Sequence, residues 1–501
     1  MLRRQRSGCS QAAPPGDATM TILQRMLSLR TRSRWFGHDA KGNVAVIFAL
    51  AILPVMASIG FTIDYSIASR IKAKLQSAAD AASVASISQK SQGYVAAAAM
   101  TSDGSVSVGV DDANQVFSAN TSDIPGFTML SKSSTVTKTG ITLTSRVEFT
   151  GSVPANFLRL VGYDTLTVSG SSASTSTLPP YLDFYLMLDV SGSMGLPSTN
   201  AEQTRLAAIN PDNYAQYPKG CTFACHFTSQ NACGNSNQKY NTNNYCMGYS
   251  LSRTAGNSSN TPVTSCPTDG TSACIQLRAD AVGYAITQLF ATANASVRVA
   301  NQFRIGLYPF IRYLYAYFPL TSSINGSVTN SSTINYAAAN LANLLDTGNN
   351  SNLGSGGTHF ENAFPTMNTT IKTVGDGSSS TNTQPFVFLI TDGAQNSQTQ
   401  WNFSWSGSNS ATTLSPSLCT TLKSRGIIIS VLYIPYQPIQ NPTTFANSED
   451  IYANNNIPNI PPALQSCASS GYFFTANTPA DITTALNAMF NQALVTAHIT
   501  N

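Results

Sequence analysis

Residues 181–194 read YLDFYLMLDVSGSM, an apolar run that ends abruptly in Asp189-Val190-Ser191-Gly192-Ser193. Phe184 to Leu188 is continuously apolar, the pattern of a strand buried on both faces of a parallel sheet. A short run of this kind also suits a buried helix segment, but its aromatics and the glycine after it favour a strand. Such a strand delivers one carboxylate and two hydroxyls, at alternate positions, into a turn at its carboxyl end. That is the end at which open α/β sheets bind ligands. Hard oxygens grouped this way suit a hard divalent cation: magnesium takes roughly six oxygen ligands at about 2.1 Å, waters among them. Taken alone, D-x-S-x-S is equally a Ser/Gly turn with an incidental aspartate.

Two later stretches shift that balance. Gly356-Gly357-Thr358 lies in a glycine-rich loop, and Phe386–Thr391 (FVFLIT) is a second buried-strand pattern, ending at Asp392-Gly393. With these in place the chain resembles a von Willebrand factor type A domain. That family's metal-ion-dependent adhesion site (MIDAS) uses D-x-S-x-S, a distant threonine and a distant aspartate, in that order. The resemblance implies Asp189, Ser191, Ser193, Thr358 and Asp392 as metal ligands. It also implies a divalent cation, magnesium by this chemistry, and an open coordination place for a carboxylate offered by a protein partner.

Strand and helix patterns alternate after residue 181, which implies a doubly wound, mainly parallel α/β sheet filling 181–501. The spacing predicts helices over 275–291, 334–345, 359–369 and 480–494. It predicts a hairpin within 303–318, a buried strand over 427–434 and a short one at 472–474. Between the first strand and the first long helix lies a polar, Asn-rich insertion, 196–273, without evident regular structure. His359, beside Thr358, reads as an exposed loop side chain, and Glu361 as an acidic residue favoured by the first turn of a helix.

The 501 residues allow two or three domains, and only 10% of them are charged, which suits an envelope or secreted protein. The net charge of +4 hides an asymmetry: residues 1–43 hold eight Lys/Arg against Asp17 and Asp39, so the remainder is slightly acidic. The basic tail abuts Val44–Ile63, twenty residues without a charge. Twenty helical residues span about 30 Å, the hydrocarbon thickness of a bilayer. A cleaved signal is the rival reading, but its apolar region is usually only about 7–15 residues. The positive flank keeps 1–43 in the cytoplasm and sends the chain beyond Asp64 outward, a single-pass topology. Nucleic acid is therefore not the expected partner; the lipid bilayer is. Met20 and Met26 are alternative starts.

Beyond the span, Ile67, Ile71, Leu75, Ala78, Ala82 and Ala85 form a narrow helical stripe, suited to packing on the chain itself or on another anchored helix. The stretch GNVAVIFALAILPVMASIGFTIDYS followed by LQSAADAAS resembles the amino-terminal segment of TadE/TadG-like proteins of tight-adherence (Flp) pilus assembly, over roughly residues 40–90. Together with the type A domain it resembles TadG-like proteins along most of the chain. Processing like a pilin is not expected, because the position five residues after Gly42 is Ile47, not glutamate. Residues 91–180 alternate as strands do, forming a small β-rich module that ends in a linker-like Ser169–Pro180.

Cys9 is alone on the cytoplasmic side. Cys221, Cys225, Cys233, Cys246, Cys266, Cys274, Cys419 and Cys467 lie beyond the span. Even numbers outside the cytoplasm read as disulfides, with Cys419 and Cys467 brought together on neighbouring elements. Zinc at Cys221, Cys225, His226 and Cys233 is the rival, without a C-x-x-C pair to support it. The chain carries no phosphate-cradling G-x-x-x-x-G-K-[ST] loop, and its four histidines lack H-E-x-x-H spacing. An enzyme is not expected. The reading is an anchored Flp/Tad-type pilus-assembly protein that holds pilus or secretion components through its metal site. A surface-displayed, metal-dependent adhesin is the alternative.

Overall fold

The computed structural model describes residues 43–209, 265–271, 274–346, 351–401, 404–408, 410–436, 438 and 449–499. The expectations for the basic tail, and for Cys221, Cys225, Cys233, Cys246 and His226, lie outside these residues. Contacts divide the described chain into two compact units. One holds the chain up to Leu75 with Ile124–Ser131 and Thr150–Gly170; the other holds Gln76–Asp123, Lys132–Phe149 and Ser171 onward.

The chain opens in one helix, α1 (Asn43–Ala85), continuous through Pro54. Among the described residues it is the helix long and apolar enough to cross a membrane. Ser58 donates to the Pro54 carbonyl at 2.8 Å and Thr62 to that of Ser58 at 2.9 Å, so both hydroxyls are satisfied within the helix. Large apolar side chains from Val44 to Ile63 are exposed, whereas Ala68, Ile71, Leu75, Ala78 and Ala82 are buried. The chain itself covers the stripe.

Residues 91–180 are less purely β than expected. Helices α2 (Gln92–Ala99) and α3 (Ser107–Thr121) accompany β1 (Gly104–Ser105), β2 (Thr128–Thr139), β3 (Thr142–Pro154) and β4 (Thr165–Thr177), and the four strands form one sheet in that order. Helices α2 and α3 close-pack at a glycine on each: a Cβ on Gly93 would stand 2.6 Å from the Gly109 Cα. The expected linker at 169–180 is instead mostly strand. Its serines are small, and Ser172 and Ser174 lie 3.0 and 2.8 Å from the Ser83 hydroxyl of the Ala-rich helix. Composition suggested a linker where alternation had made a hydroxyl-lined packing face.

From residue 182 the chain is doubly wound. Strand β5 (Leu182–Asp189) leads through α4 (Asn200–Ile209) and α5 (Arg278–Ser296) to β6 (Phe303–Phe310) and β7 (Phe318–Thr321). Helices α6 (Ile334–Ala339) and α7 (Phe360–Thr370) come after these, then β8 (Gln384–Thr391). Two ribbons come next, β9 (Ala394–Gln395) with β12 (Thr412–Thr413), and β10 (Thr399–Trp401) with β11 (Ser404–Ser406). Helix α8 (Pro416–Lys423), β13 (Ile428–Tyr433), α9 (Glu449–Asn456), α10 (Ile460–Cys467), β14 (Phe473–Thr475) and α11 (Pro479–Ile499) complete it.

The sheet order is β14-β13-β8-β5-β6-β7, parallel except for β7 against β6. Every residue of β5 and β8 is buried. Alternation sends Phe184, Leu186 and Leu188 to the face covered by α5 and α11, and Tyr185 and Met187 to the face covered by α7, α8 and α10. Phe184 anchors the first face, with ring centroids 5.2 Å from Phe388 and 5.3 Å from Phe490. The second arm of the predicted hairpin is displaced along the chain: it begins only at Phe318, where the predicted one ends, and runs to Thr321. The helix predicted over 334–345 breaks at Asn340 into a 3₁₀ turn, Leu341–Leu344.

The insertion after β5 is not structureless at its base. Glu202 of α4, buried, pairs with Arg205 and accepts from the backbone N–H groups of Gly270 (2.9 Å) and Gln276 (2.7 Å). A disulfide joins Cys266 to Cys274 beside it, and another joins Cys419 of α8 to Cys467 of α10, the pair the sequence suggested.

Candidate functional site

Chain order places β6 on one side of β5 and β8 on the other, so the connections diverge at the carboxyl end of β5. That crevice is the topological switch point, where sheets of this kind bind ligands. Asp189 is the last residue of β5, and Asp392 comes directly after the last residue of β8. Both are at most 1% exposed.

The neighbouring backbone turns the hydroxyls toward these carboxylates. Ser191 N–H donates to Asp189 Oδ1 at 3.0 Å, and Thr391 Oγ1 donates to Asp189 Oδ2 at 2.6 Å. The Ser191 and Ser193 hydroxyl oxygens are 3.3 Å apart, and Ser193 hydrogen-bonds Asp392. Four of the five expected ligands therefore form one cluster. Thr358 reaches the same end of the sheet through its backbone: it exchanges hydrogen bonds with Asn396 (3.0 and 3.3 Å), and the next residue, His359, donates its N–H to Ile311 O at 2.9 Å. Ile311 comes directly after Phe310, the β6 partner of Asp189.

Burial, and then the charge of Asp392, push the Asp189 carboxyl up to about 7 despite the hydrogen bonds from Ser191 and Thr391. Burial also raises Asp392, against the lowering effect of Arg278. That arginine was not among the expected site residues. It opens α5, is 3% exposed, and places Nη1 at 3.4 Å from Asp392 Oδ2, with Nη2 donating to Pro435 O at 3.0 Å. Its burial pushes the guanidinium below its usual value. A signal was present in the sequence: an arginine in the first turn of an apolar helix opposes the helix dipole, so it needs an acidic partner.

Asp346 was also missed. Its carboxylate accepts from Ser355 Oγ (2.6 Å) and Gly356 N–H (2.8 Å), while its own N–H donates to Val190 O (3.2 Å). It thereby ties the glycine-rich loop to the turn after β5. Gly357 has φ +68°, and a Cβ there would stand 2.1 Å from the Asn396 carbonyl oxygen, so only glycine lets the loop pass.

His359 corrects an expectation, being 4% exposed rather than a solvated loop side chain. Its Nδ1 lies 2.6 Å from Glu361 Oε1, and its Nε2 lies 2.8 Å from Gln398 O and 3.1 Å from Gly356 O. Glu361 in turn accepts from Gln395 Nε2 at 3.0 Å. The two side chains pin the loop ends together, and neither ring nitrogen is turned to the serines.

The residues fit a hard divalent ion. Two carboxylates are buried close together, only Asp392 of them paired with a guanidinium, and the adjoining donors are hydroxyls. Among the described residues no group of three or more His, Cys, Asp or Glu gathers to hold a metal, so any ion here would depend on the hydroxyl oxygens as well.

Residues 42–99 match the model of the Flp pilus-assembly TadE/G-like family. No curated protein matches the chain. Solved structures similar to it include proximal thread matrix protein 1 of the mussel byssus, at 12% identity and TM-score 0.28, covering 63% of this chain and 49% of that one. The chain thus spans about half the length of that relative. The PilB minor pilin of Streptococcus sanguinis matches at 9% identity and TM-score 0.32, covering 75% and 80%. The type V pili tip protein Mfa5 of Porphyromonas gingivalis, through its vWF domain, matches at 10% and 0.31, covering 64% and 97%. In this chain, then, a segment similar to the Flp pilus-assembly TadE/G-like family model is followed by a doubly wound, mainly parallel domain.

Proposed function

We propose that this chain is a membrane-anchored, Flp/Tad-type pilus-assembly protein whose type A domain, outside the cytoplasm, holds a protein partner through a divalent ion. The observation that carries the reading is the cluster of Asp189, Ser191, Ser193 and Asp392 at the switch point, on a chain whose amino-terminal segment is TadE/G-like. Asp189, Ser191, Ser193 and Asp392, with Thr358 from the glycine-rich loop, would hold magnesium. The ion supplies a Lewis-acidic point of attachment for an external oxygen. Arg278 bears on which oxygen that is. Two carboxylates balance a divalent ion by themselves, and the buried guanidinium adds one further positive charge, so the loaded site favours an anionic ligand such as a partner's carboxylate. Recognition rather than catalysis fits the side chains, because His359 spends both ring nitrogens on Glu361 and backbone carbonyls and offers no base to the serines.

Calorimetry of the chain with Mn²⁺, comparing the parent with Ser191→Ala, tests the site: the parent binds one ion and the variant loses most of that affinity while its circular dichroism is unchanged. Equal binding by the two refutes the metal reading. In cells, surface pili lost in Ser191→Ala, with the chain still in the membrane, support assembly; unaltered pili refute it. Protease access to the domain on intact cells would favour the adhesin, and access only after outer-membrane permeabilisation favours assembly.

A further inference from the structure

The membrane-proximal unit carries an apolar turn that its own packing does not use. After β3 the chain makes a 3₁₀ turn, Leu158–Val161, closed by Gly162 at φ +89°. Leu160 is 86% exposed, the highest among the described large apolar residues, and Phe157, Val161 and Tyr163 are exposed beside it. Two contacts fix where this turn stands along α1. Gly60 packs directly on Phe157, since a Cβ at position 60 would lie 2.5 Å from the Phe157 Cβ. One helical turn later, Asp64 accepts from the backbone N–H groups of Asn156 (3.0 Å), Phe157 (2.8 Å) and Leu158 (2.8 Å).

Gly60 is within the uncharged run 44–63, and Asp64 is the first charge after it. The turn is thus held level with the last turn of the apolar helix, at the height where hydrocarbon gives way to headgroups. Phe61 and Tyr65, on the same stretch of helix, stack at 5.9 Å and are themselves exposed. Aromatic rings at a span's end are what the bilayer boundary selects.

We propose that residues 156–163 are a lipid-inserting foot: Phe157, Leu160, Val161 and Tyr163 enter the headgroup–acyl boundary at the carboxyl-terminal end of the span, clamped to the anchor by Asp64. The inference rests on reading 44–63 as a retained anchor. Lipid is favoured over a protein partner because Phe157 lies against the span itself, so an occupant of this surface must already be at the bilayer's edge. The foot gives α1 a second attachment point, which limits its rotation and tilt.

The test uses the full chain in vesicles of phosphatidylethanolamine and phosphatidylglycerol, with a Leu160→Trp probe read as a difference from the parent. Because Leu160 is exposed, the substitution leaves the fold intact. The expected result is quenching by lipid brominated near the headgroup, little by lipid brominated near the chain end, and several-fold protection from aqueous iodide. Adding Asp64→Ala should remove most of that protection. A Phe48→Trp probe, quenched by chain-end bromine, reports the anchor separately. If that probe is quenched and Leu160→Trp remains open to iodide, the foot is refuted and the anchor stands. If neither probe meets bromine, the anchor reading fails and takes the foot with it.

Discussion

Arg278→Met removes the guanidinium while keeping much of the side-chain volume, and it isolates the electrostatics of the site. In the ion-free protein it leaves Asp392, almost wholly buried, without its cationic neighbour. Breaking a buried pair by deleting one partner costs about 3–5 kcal/mol. The 3.4 Å separation is long for such a pair and argues for the lower figure, about 3 kcal/mol. For a domain of this size that is a fall in melting temperature of roughly 6 °C. A divalent ion reverses part of the loss. With a guanidinium at roughly 6 Å and an effective dielectric near 20, ion–arginine repulsion is on the order of a few kcal/mol, so the variant should bind the ion more tightly than the parent. At an ion concentration about 100 times the dissociation constant, binding alone contributes about 2.7 kcal/mol. Differential scanning calorimetry in EDTA and in millimolar Mg²⁺ checks this. The predicted pattern is a deficit in EDTA that shrinks in Mg²⁺. A deficit of equal size in both, or none in EDTA, refutes the reasoning.

Gly357→Ala places a methyl 2.1 Å from the Asn396 carbonyl oxygen at a positive φ, so it should displace the glycine-rich loop and weaken Mn²⁺ binding at least tenfold, read by calorimetry. Replacing both Cys419 and Cys467 by alanine opens a crosslink across 48 residues and should cost about 4 kcal/mol on a chain-entropy account, measured by urea unfolding. Asp64 gives a pH dependence of known sign. Burial works against its charge, but three backbone N–H groups outweigh it and hold the carboxyl below its ordinary 3.8. The clamp is therefore fully present above pH 3.8 and is lost as pH falls through the lower, folded value. Iodide access to a probe at position 160 should stay flat from pH 8 to about 4 and rise only below; a rise near neutrality counts against the clamp.

The sheet was legible because its central strands are short apolar runs: beyond Asp183 and Gln384 near their starts, β5 and β8 stay apolar almost to the aspartates at their carboxyl ends. Four expected ligands converge for the same reason, since parallel neighbours in register must bring their carboxyl ends together. Tertiary pairing was less legible. Arg278 and Asp346 act through residues far away in sequence, and local pattern carries no trace of which carboxylate or loop they meet. His359 was misjudged because a loop position suggests solvent, whereas three oxygen acceptors repay its burial. The Ser-rich strand β4 failed on composition, because serine signals a linker unless a small-residue helix such as 77–86 needs a hydroxyl face to pack on.

On the proposed reading, residues scattered from 189 to 392 grip one divalent ion. A crystal soaked in Mn²⁺, with data collected at the manganese edge, tests it most directly. A single anomalous peak is expected at roughly 2.1–2.3 Å from the Ser191 and Ser193 hydroxyl oxygens, between Asp189 and Asp392. A peak elsewhere, or an Asp392 still paired with Arg278 and no peak beside the serines at saturating Mn²⁺, would contradict it.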